Sequence, residues 1–432
     1  MSKDQLTQLR SIAREIFEAA LLAVDAREVT HKAIGVEGNR VTIGHTVLDA
    51  TKPIYVVSLG KASVAMAEAL NETLGDRIAN GIITGQQPQR LNANWQVFSG
   101  GHPLPNTDSL NAASAAFQLL DKANDEQAVV IFAVSGGGSA MIEWPSTSAI
   151  SLEDLREANR IMVACGATIA EVNTVRRTFS AVKGGKLAAR APKAEIVTLL
   201  ISDTNHGDEG SVASGPSLPP SDTRAATEIV AKYQLEAKLP GTIIEAIRKS
   251  EEPIQTAQTR ESHYILAENK TALDAAAARA TSLGFRAVRA DEISEQPIAE
   301  GCELLIQRLA KEPAPVCLIS GGEFACTVRG DGRGGRNLET VLRCALAVAA
   351  HNEHIVVLSA GTDGIDGNSP AAGAVADETT LSRAESLGLD ASSLLERSDS
   401  FGFFKRLGDA IITGPTSTNV RDVRVIIKVA VE

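Results

Sequence analysis

The stretch IFAVSGGGSAM at 131–141 decides the fold: an apolar, strand-like run enters a triple glycine, Gly136, Gly137 and Gly138, flanked by Ser135 and Ser139. A second run, VCLISGGEFACTV at 316–328, repeats the arrangement with Ser320, Gly321, Gly322 and Glu323. A glycine-rich turn that leaves a strand exposes backbone N–H groups able to cradle an anion. Two such turns, far apart in the chain, predict two α/β halves with an anionic ligand in a cleft between them.

Outward from these turns, short β-branched runs alternate with helical patterns, the signature of largely parallel sheets flanked by helices. Strands are expected at 54–59 (IYVVSL), 82–84 (IIT), 129–134 (VVIFAV) and 195–202 (EIVTLLIS), with Ala-rich helices at 62–74 and 109–123 between them. A polar, Pro-rich stretch at 214–224 interrupts the pattern, and EEPIQTAQTR at 251–260 marks the expected boundary. This divides the chain into residues 1–250 and 251–432, two α/β domains with an active-site cleft between them. The second half resumes with HYILAENK, a helix over 271–284 closed by Gly284, strands at 315–320 and 354–360, and a final strand in DVRVIIKVAV at 422–431.

At 432 residues the chain is long enough for two cores. Its formal charge of -11 argues against a nucleic-acid or anionic-membrane partner, since either asks for a basic face. An anionic ligand must then be met by local Lys, Arg, metal or backbone groups. Five cysteines lacking metal-ligand spacing suit reduced thiols and a cytoplasmic setting. The start, MSKDQLTQLRSIAREIF, predicts an amphipathic helix rather than a signal or a membrane span.

Several polar segments carry candidate chemistry. SLGKAS at 58–63 puts Lys61 between a strand and a helix, where an ammonium and backbone donors converge on phosphate, although the P-loop spacing is absent. NTVRRTFSAVKGGKLAAR at 173–190 predicts a helix with Asn173, Arg177 and Ser180 on one stripe, either a solvent-facing polar face or, with Lys183 and Lys186, a seat for an anion such as a carboxylate. SDTNHGDEGSVASGPS at 202–217 offers Asp203 and Asp208 to a hard divalent cation, or forms an Asx-turn loop. GDGRGGRNLETVL at 330–342, with Arg329, Arg333 and Arg336 threaded through glycines directly before a helix, is either flexible surface or a mobile loop whose guanidinium groups can close over a phosphoryl group. SAGTDGIDGNSPAAGAV at 359–375 presents Asp363 and Asp366 after a strand, and GPTSTNVRD at 414–422 supplies Thr416, Thr418 and Asn419.

Taken together, SLGKAS, GHPLPN, VSGGGSAM, NTVRRTFSAVKGGKLA, SDTNHGD with VASGPS, SGGE, GRGGRN, SAGTDGIDG and GPTSTN resemble, in order and over nearly the whole chain, the glycerate 2-kinase family with its C-terminal MOFRL domain. The resemblance implies transfer of the γ-phosphoryl group of ATP to the 2-hydroxyl of D-glycerate with Mg²⁺, and it points to Lys61 and Arg336 as catalytic. Asp203, Asp208 and Asp363 are the metal candidates. The Ser135–Ser139 turn is assigned to one anion, either the glycerate carboxylate or a phosphate. Asp203 is the first choice to orient the attacking hydroxyl, with Glu323 as its competitor. Gly321, Gly322, Asn337, Thr416 and Asn419 complete the substrate-binding set. The expected partners are small molecules, D-glycerate and ATP, without nucleic acid or membrane, and a homodimer is compatible with the reading. The alternative is a hydroxypyruvate reductase using NAD(P)H, but no G-x-G-x-x-G follows a first strand.

Overall fold

A computed structural model describes residues 3–49, 51–85, 87–220, 224–250, 261–349 and 353–430. The chain divides into two compact units, Ala26–Leu266 and a second made of Met1–Asp25 with Ala267–Glu432. The expected boundary at 251–260 lies outside the described residues.

In the unit Ala26–Leu266, a small antiparallel sheet holds β1 (Ile34–Glu37), β2 (Arg40–Ile43) and β3 (Thr46–Leu48). The main sheet uses β4 (Ile54–Leu59), β5 (Ile78–Thr84), β6 (Trp95–Phe98), β7 (Val129–Ser135), β8 (Glu195–Ile201) and β9 (Glu261–Ala267) in the order β6-β5-β4-β7-β8-β9. The pairings from β6 to β8 are all parallel. Every residue of β4, β7 and β8 is buried, which explains why they read as unbroken apolar runs: a parallel strand covered on both faces has no polar side. The core pairs Tyr55, Val57, Phe132, Val134 and Leu200 with Ala112, Ala116 and Leu120 of helix Thr107–Asp125. Asn106 caps that helix by accepting from Ser109 N at 2.9 Å, with Ser109 answering reciprocally.

A helical cluster stands beside this sheet, with Leu155, Val175, Phe179, Ile229 and Ile243 at its core. Truncating a side chain as enclosed as Phe179 to alanine costs about 3–5 kcal/mol. Its central helix, Ile169–Phe179, begins at Thr168 with a capping box to Glu171. The helix expected through residue 190 therefore stops at Phe179. Ser180 turns extended, and the left-handed Gly184 and Gly185 carry the chain away.

In the second unit, β10 (Arg286–Arg289), β11 (Val316–Gly322), β12 (His354–Gly361), β13 (Gly373–Asp377), β14 (Ala410–Ile411) and β15 (Asp422–Val429) form a sheet ordered β10-β11-β15-β12-β13-β14. Its helix-flanked α/β character is as expected, but the sheet is mixed. β10 and β11 are parallel, whereas β15 lies antiparallel between β11 and β12, and β13 and β14 continue antiparallel. Because β15 runs against both neighbours, its first residue, Asp422, stands opposite Gly322 and Gly361 at their C-terminal ends.

The amphipathic N-terminal helix forms as expected, over Lys3–Ala23, yet it packs on helix Asn269–Ser282 and on β15 rather than with the residues that follow it. Arg10 fixes it there, with an ion pair to Asp377 at 2.8 Å and a second to Asp409. Gly284, left-handed at φ 88°, closes helix Asn269–Ser282 as its position predicted.

Candidate functional site

Three parallel neighbours, β4, β7 and β8, end side by side in the first unit, and their following loops make its polar centre. Crevices at the carboxyl ends of parallel strands are where open α/β sheets bind ligands. Gly60, at φ 104°, lets the chain turn from β4 into helix Ser63–Leu74, and a Cβ there would overlap the main chain of Ser135. Lys61 N then donates to Gly136 O at 2.9 Å and Ala62 N to Ser135 Oγ at 2.9 Å, knitting the two loops together. The Ser135 hydroxyl is thus committed inside the fold. The Lys61 side chain lies exposed.

Gly136 lies against Asp203, whose carboxylate a Cβ there would overlap. At Gly137, φ 82°, a Cβ would come within 3.1 Å of both Lys61 Cγ and His102 Nε2. Lys61, His102, Asp203 and the glycine turn therefore converge. Partial burial first and the Lys61 ammonium second hold the His102 imidazole below its ordinary value, which favours its neutral form at neutral pH. GHPLPN was legible as a motif, but it assigned no role to His102.

Behind the turn lies a buried polar network. Lys183, 1% exposed, donates to Glu143 Oε2 at 2.5 Å and to Ser139 O at 2.7 Å, while Ser180 Oγ donates to Glu143 Oε1. The Ser139 and Ser214 hydroxyls meet at 2.6 Å, and Ser214 Oγ donates to Asn173 Oδ1 at 2.8 Å. Arg177 donates to Thr174 Oγ1 at 2.9 Å. Asn173 and Arg177 are buried, not a solvent-facing stripe. Glu143 was missed from sequence, where it is one carboxylate in a loop ahead of a tryptophan.

The second unit builds a different centre around Asp422, itself 1% exposed. Arg336, first residue of helix Arg336–Val348, donates Nε to Asp422 Oδ2 at 2.7 Å and NH2 to Glu323 Oε1 at 2.5 Å. Burial disfavours its charge, but Asp422 and Glu323 outweigh that and hold its guanidinium above the ordinary value. Asn337 Nδ2 donates to Asp422 Oδ1 at 2.9 Å, and Ser359 Oγ to Asn337 Oδ1 at 2.6 Å. The helix N-terminus is occupied by Asp366, whose carboxylate accepts from Asn337 N at 3.1 Å and Leu338 N at 2.8 Å. Burial pushes Asp366 up to about 7 despite those donors, with Asp422 adding to the rise. Asp422 was missed because a strand-opening aspartate gives no sign of a strand inserted between two others.

The remaining expected residues take clear places. Gly321 and Gly322 are the last residues of β11, not an open turn. Asn269 presses on Gly321 and accepts from Gly322 N at 3.1 Å. The arginine–glycine loop is anchored rather than mobile: Arg329 N donates to Ser398 Oγ, Arg333 N to Asp399 Oδ1, and Gly334 N to Asn368 Oδ1. Thr416 is bonded to the 362–363 turn, Oγ1 to Thr362 O at 2.5 Å and N to Asp363 O at 3.2 Å. Asn419 Oδ1 accepts from Arg421 N at 3.3 Å.

Asp203 and Asp208 belong to the first unit and Asp363 to the second. Asp208 accepts from Ser211 Oγ at 2.8 Å and Asp363 from Ile365 N at 3.1 Å. Among the described residues no three His, Cys, Asp or Glu side chains converge on a metal position. Mg²⁺ commonly keeps several waters and takes one or two carboxylates together with substrate phosphates. No helix among the described residues is long and apolar enough to cross a membrane.

Residues 12–248 match the family described as "Domain of unknown function (DUF4147)", and residues 316–422 match the "MOFRL family". The chain is 33% identical to the D-glycerate 2-kinase of Thermotoga maritima over 85% of this chain and 89% of that protein. It is 31% identical to the glycerate 2-kinase of Pyrococcus horikoshii over 96% of each. A protein of Agrobacterium vitis named as a candidate hydroxypyruvate reductase is 34% identical over 97% of this chain and 94% of its own length. The crystal structure of a glycerate kinase from Thermotoga maritima superposes with a TM-score of 0.82 at 29% identity, covering 98% of this chain and all of that one. The chain belongs to the two-domain glycerate kinase family that carries a C-terminal MOFRL domain.

Proposed function

We propose that the chain transfers the γ-phosphoryl group of ATP to the 2-hydroxyl of D-glycerate, giving 2-phospho-D-glycerate and ADP. The observation that carries this reading is the convergence of Lys61, Asp203 and the Gly136–Gly138 turn at the ends of β4, β7 and β8. Phosphoryl transfer asks little covalent chemistry of a protein and much positioned charge. Lys61 supplies an ammonium beside backbone donors, and Arg336 supplies a guanidinium whose orientation Asp422 fixes; both stabilise negative charge on the transferring group. Asp203 orients the hydroxyl that attacks, and neutral His102, also beside Gly137, is a second acceptor for the same proton. Mg²⁺, when bound, neutralises charge on the nucleotide phosphates. Asp203, Asp208 and Asp363 are the carboxylates offered to it.

The relatives named for hydroxypyruvate reduction favour a second reading, hydride transfer from NAD(P)H. The turn after β4 argues against it: LGKAS places Lys61 and one glycine where a dinucleotide-binding turn needs three. One assay separates the two. Purified protein with ATP, Mg²⁺ and D-glycerate, coupled to enolase, gives a signal without phosphoglycerate mutase if the product is the 2-phosphate. A signal that requires the mutase would replace 2- by 3-phosphorylation. NAD(P)H oxidation by hydroxypyruvate without ADP formation would establish the reductase.

A further inference from the structure

A second guanidinium lies beneath the Arg336 centre. Arg424, on β15 two residues after Asp422 and therefore on the same face of the strand, is 1% exposed and is the bulkiest fully enclosed side chain among the described residues. Its NH1 donates to Ser320 Oγ at 3.1 Å and to Gly321 O, and its NH2 donates to Gly322 O at 3.4 Å and stands 3.9 Å from Asp422 Oδ2. Nε finds no partner. The guanidinium carbon lies 3.5 Å from the centre of the Phe324 ring, and a Cβ at Gly301 would overlap that ring, so helix Ile298–Ala310 carries a glycine where this aromatic floor passes.

Burying a guanidinium is costly, and a buried ion pair gives no more stability than well-packed apolar groups of the same volume. Burial draws Arg424 down to about 10, with Asp422 opposing and Arg336 adding to the fall. Strand register does not need that charge. β11 and β15 are already paired through Gly322 and Asp422, and Asn269 bridges the same two ends: its Oδ1 accepts from Gly322 N at 3.1 Å, and its Nδ2 donates to Val420 O at 2.7 Å and Asp422 O at 3.0 Å. What the main chain leaves unset is the Asp422 carboxylate. Arg336 Nε takes its Oδ2 at 2.7 Å, Asn337 takes its Oδ1 at 2.9 Å, and Arg424 meets Oδ2 from the buried side. Glu323, the other carboxylate on Arg336, follows directly on Gly322, whose carbonyl Arg424 holds. Both grips on Arg336 thus trace back to Arg424.

We propose that Arg424 is a positioning residue: sharing Asp422 with Arg336, it fixes the carboxylates that aim the Arg336 guanidinium at a transferring anion. What Arg336 aims at rests on the kinase reading; the coupling of Arg424 to Arg336 does not.

The test is a double-mutant cycle between the two arginines, read in kcat. Arg424→Met, similar in length and uncharged, should lower kcat about tenfold while leaving KM for D-glycerate within about twofold. In the Arg336→Ala background the same substitution should cost less than about twofold, because a residue that acts through Arg336 has nothing left to aim. Arg424→Lys, which keeps the charge but not the fork, should recover part of the loss. Equal losses in both backgrounds, or an unaltered kcat in folded Arg424→Met, would overturn the proposal. Should Arg424→Met not fold, Arg424→Lys takes its place in the cycle: a loss of about threefold that vanishes in Arg336→Ala supports the proposal, and an equal loss in both backgrounds overturns it. Absence of ATP turnover in the wild type would sink the kinase reading, and the cycle is then read by titration calorimetry with inorganic pyrophosphate. Binding that weakens on Arg424→Met only where Arg336 is present leaves the positioning role standing; additive losses, or a wild type that binds no pyrophosphate, overturn it.

Discussion

The two candidate cations are held in opposite ways. Lys61 stands exposed on a turn whose own backbone is knitted to the next loop, so its place is set through the main chain. Arg336 is gripped at its guanidinium by Asp422, and the helix that carries it is capped by Asp366. A planar fork can be oriented in advance by carboxylates; a flexible ammonium is positioned chiefly by what it binds. The first unit thus contributes an exposed charge on a shaped backbone turn, and the second a guanidinium held by carboxylates.

The strongest way to break this contrast is to remove each cation. Lys61→Ala and Arg336→Ala are each expected to lower kcat by about 10² or more, the usual scale for one preorganised donor. Their stabilities should part. Lys61→Ala should leave Tm nearly unchanged, while Arg336→Ala takes the bound guanidinium from the buried Asp422 carboxylate, which keeps its Asn337 hydrogen bond, and should cost about 2 kcal/mol, tempered because Arg336 is a third exposed. Chemical denaturation of both variants checks this, and equal losses would dissolve the contrast.

A smaller effect is expected at Gly136→Ala, where the added methyl displaces the Asp203 carboxylate. About a tenfold loss in kcat with intact folding should follow. Unchanged turnover would remove Asp203 from the reacting centre.

The pH response should be milder. Burial draws Lys186 down to about 8, opposed by Glu143 and reinforced by Arg177 and Lys183. Its charge, present below that value, is lost as pH rises through it. KM for D-glycerate should therefore climb several-fold above pH 8, and a flat KM from pH 7 to 9 would exclude Lys186 from substrate binding.

The least effect concerns the helix cap. With Asp366 raised from 3.8 to about 7, the folded chain keeps a proton there that the unfolded chain has released. This contribution to stability is complete below about pH 4 and disappears as pH rises through 7. Asp366→Asn should flatten the decline of Tm across that window. An unaltered slope would mean that Asp366 is ionised throughout.

Much of the first unit was legible because burial on both faces writes β4, β7 and β8 as apolar runs. Lys61 was legible because it sits between a strand and a helix in consecutive residues. Segments whose partners are distant in sequence were not. The apolar stripe of helix Lys3–Ala23 announced a packed face without saying where, and the pattern after Phe179 kept helical spacing until paired glycines ended it. Asp422 acquires its role only because β15 runs antiparallel between β11 and β12. A period of two along one strand carries no trace of that insertion.

Helix Lys3–Ala23 belongs with residues made last. During synthesis the chain's first helix emerges long before β15 and helix Asn269–Ser282 exist to receive its apolar face. The unit Ala26–Leu266 can close first, since domains generally fold as units from the N-terminal side. The leading helix must meanwhile wait, exposed, across the making of an entire domain. The second unit is therefore complete only when helix Lys3–Ala23 has met the residues after Ala267, and a fragment starting at Ala267 would be born lacking one of its walls.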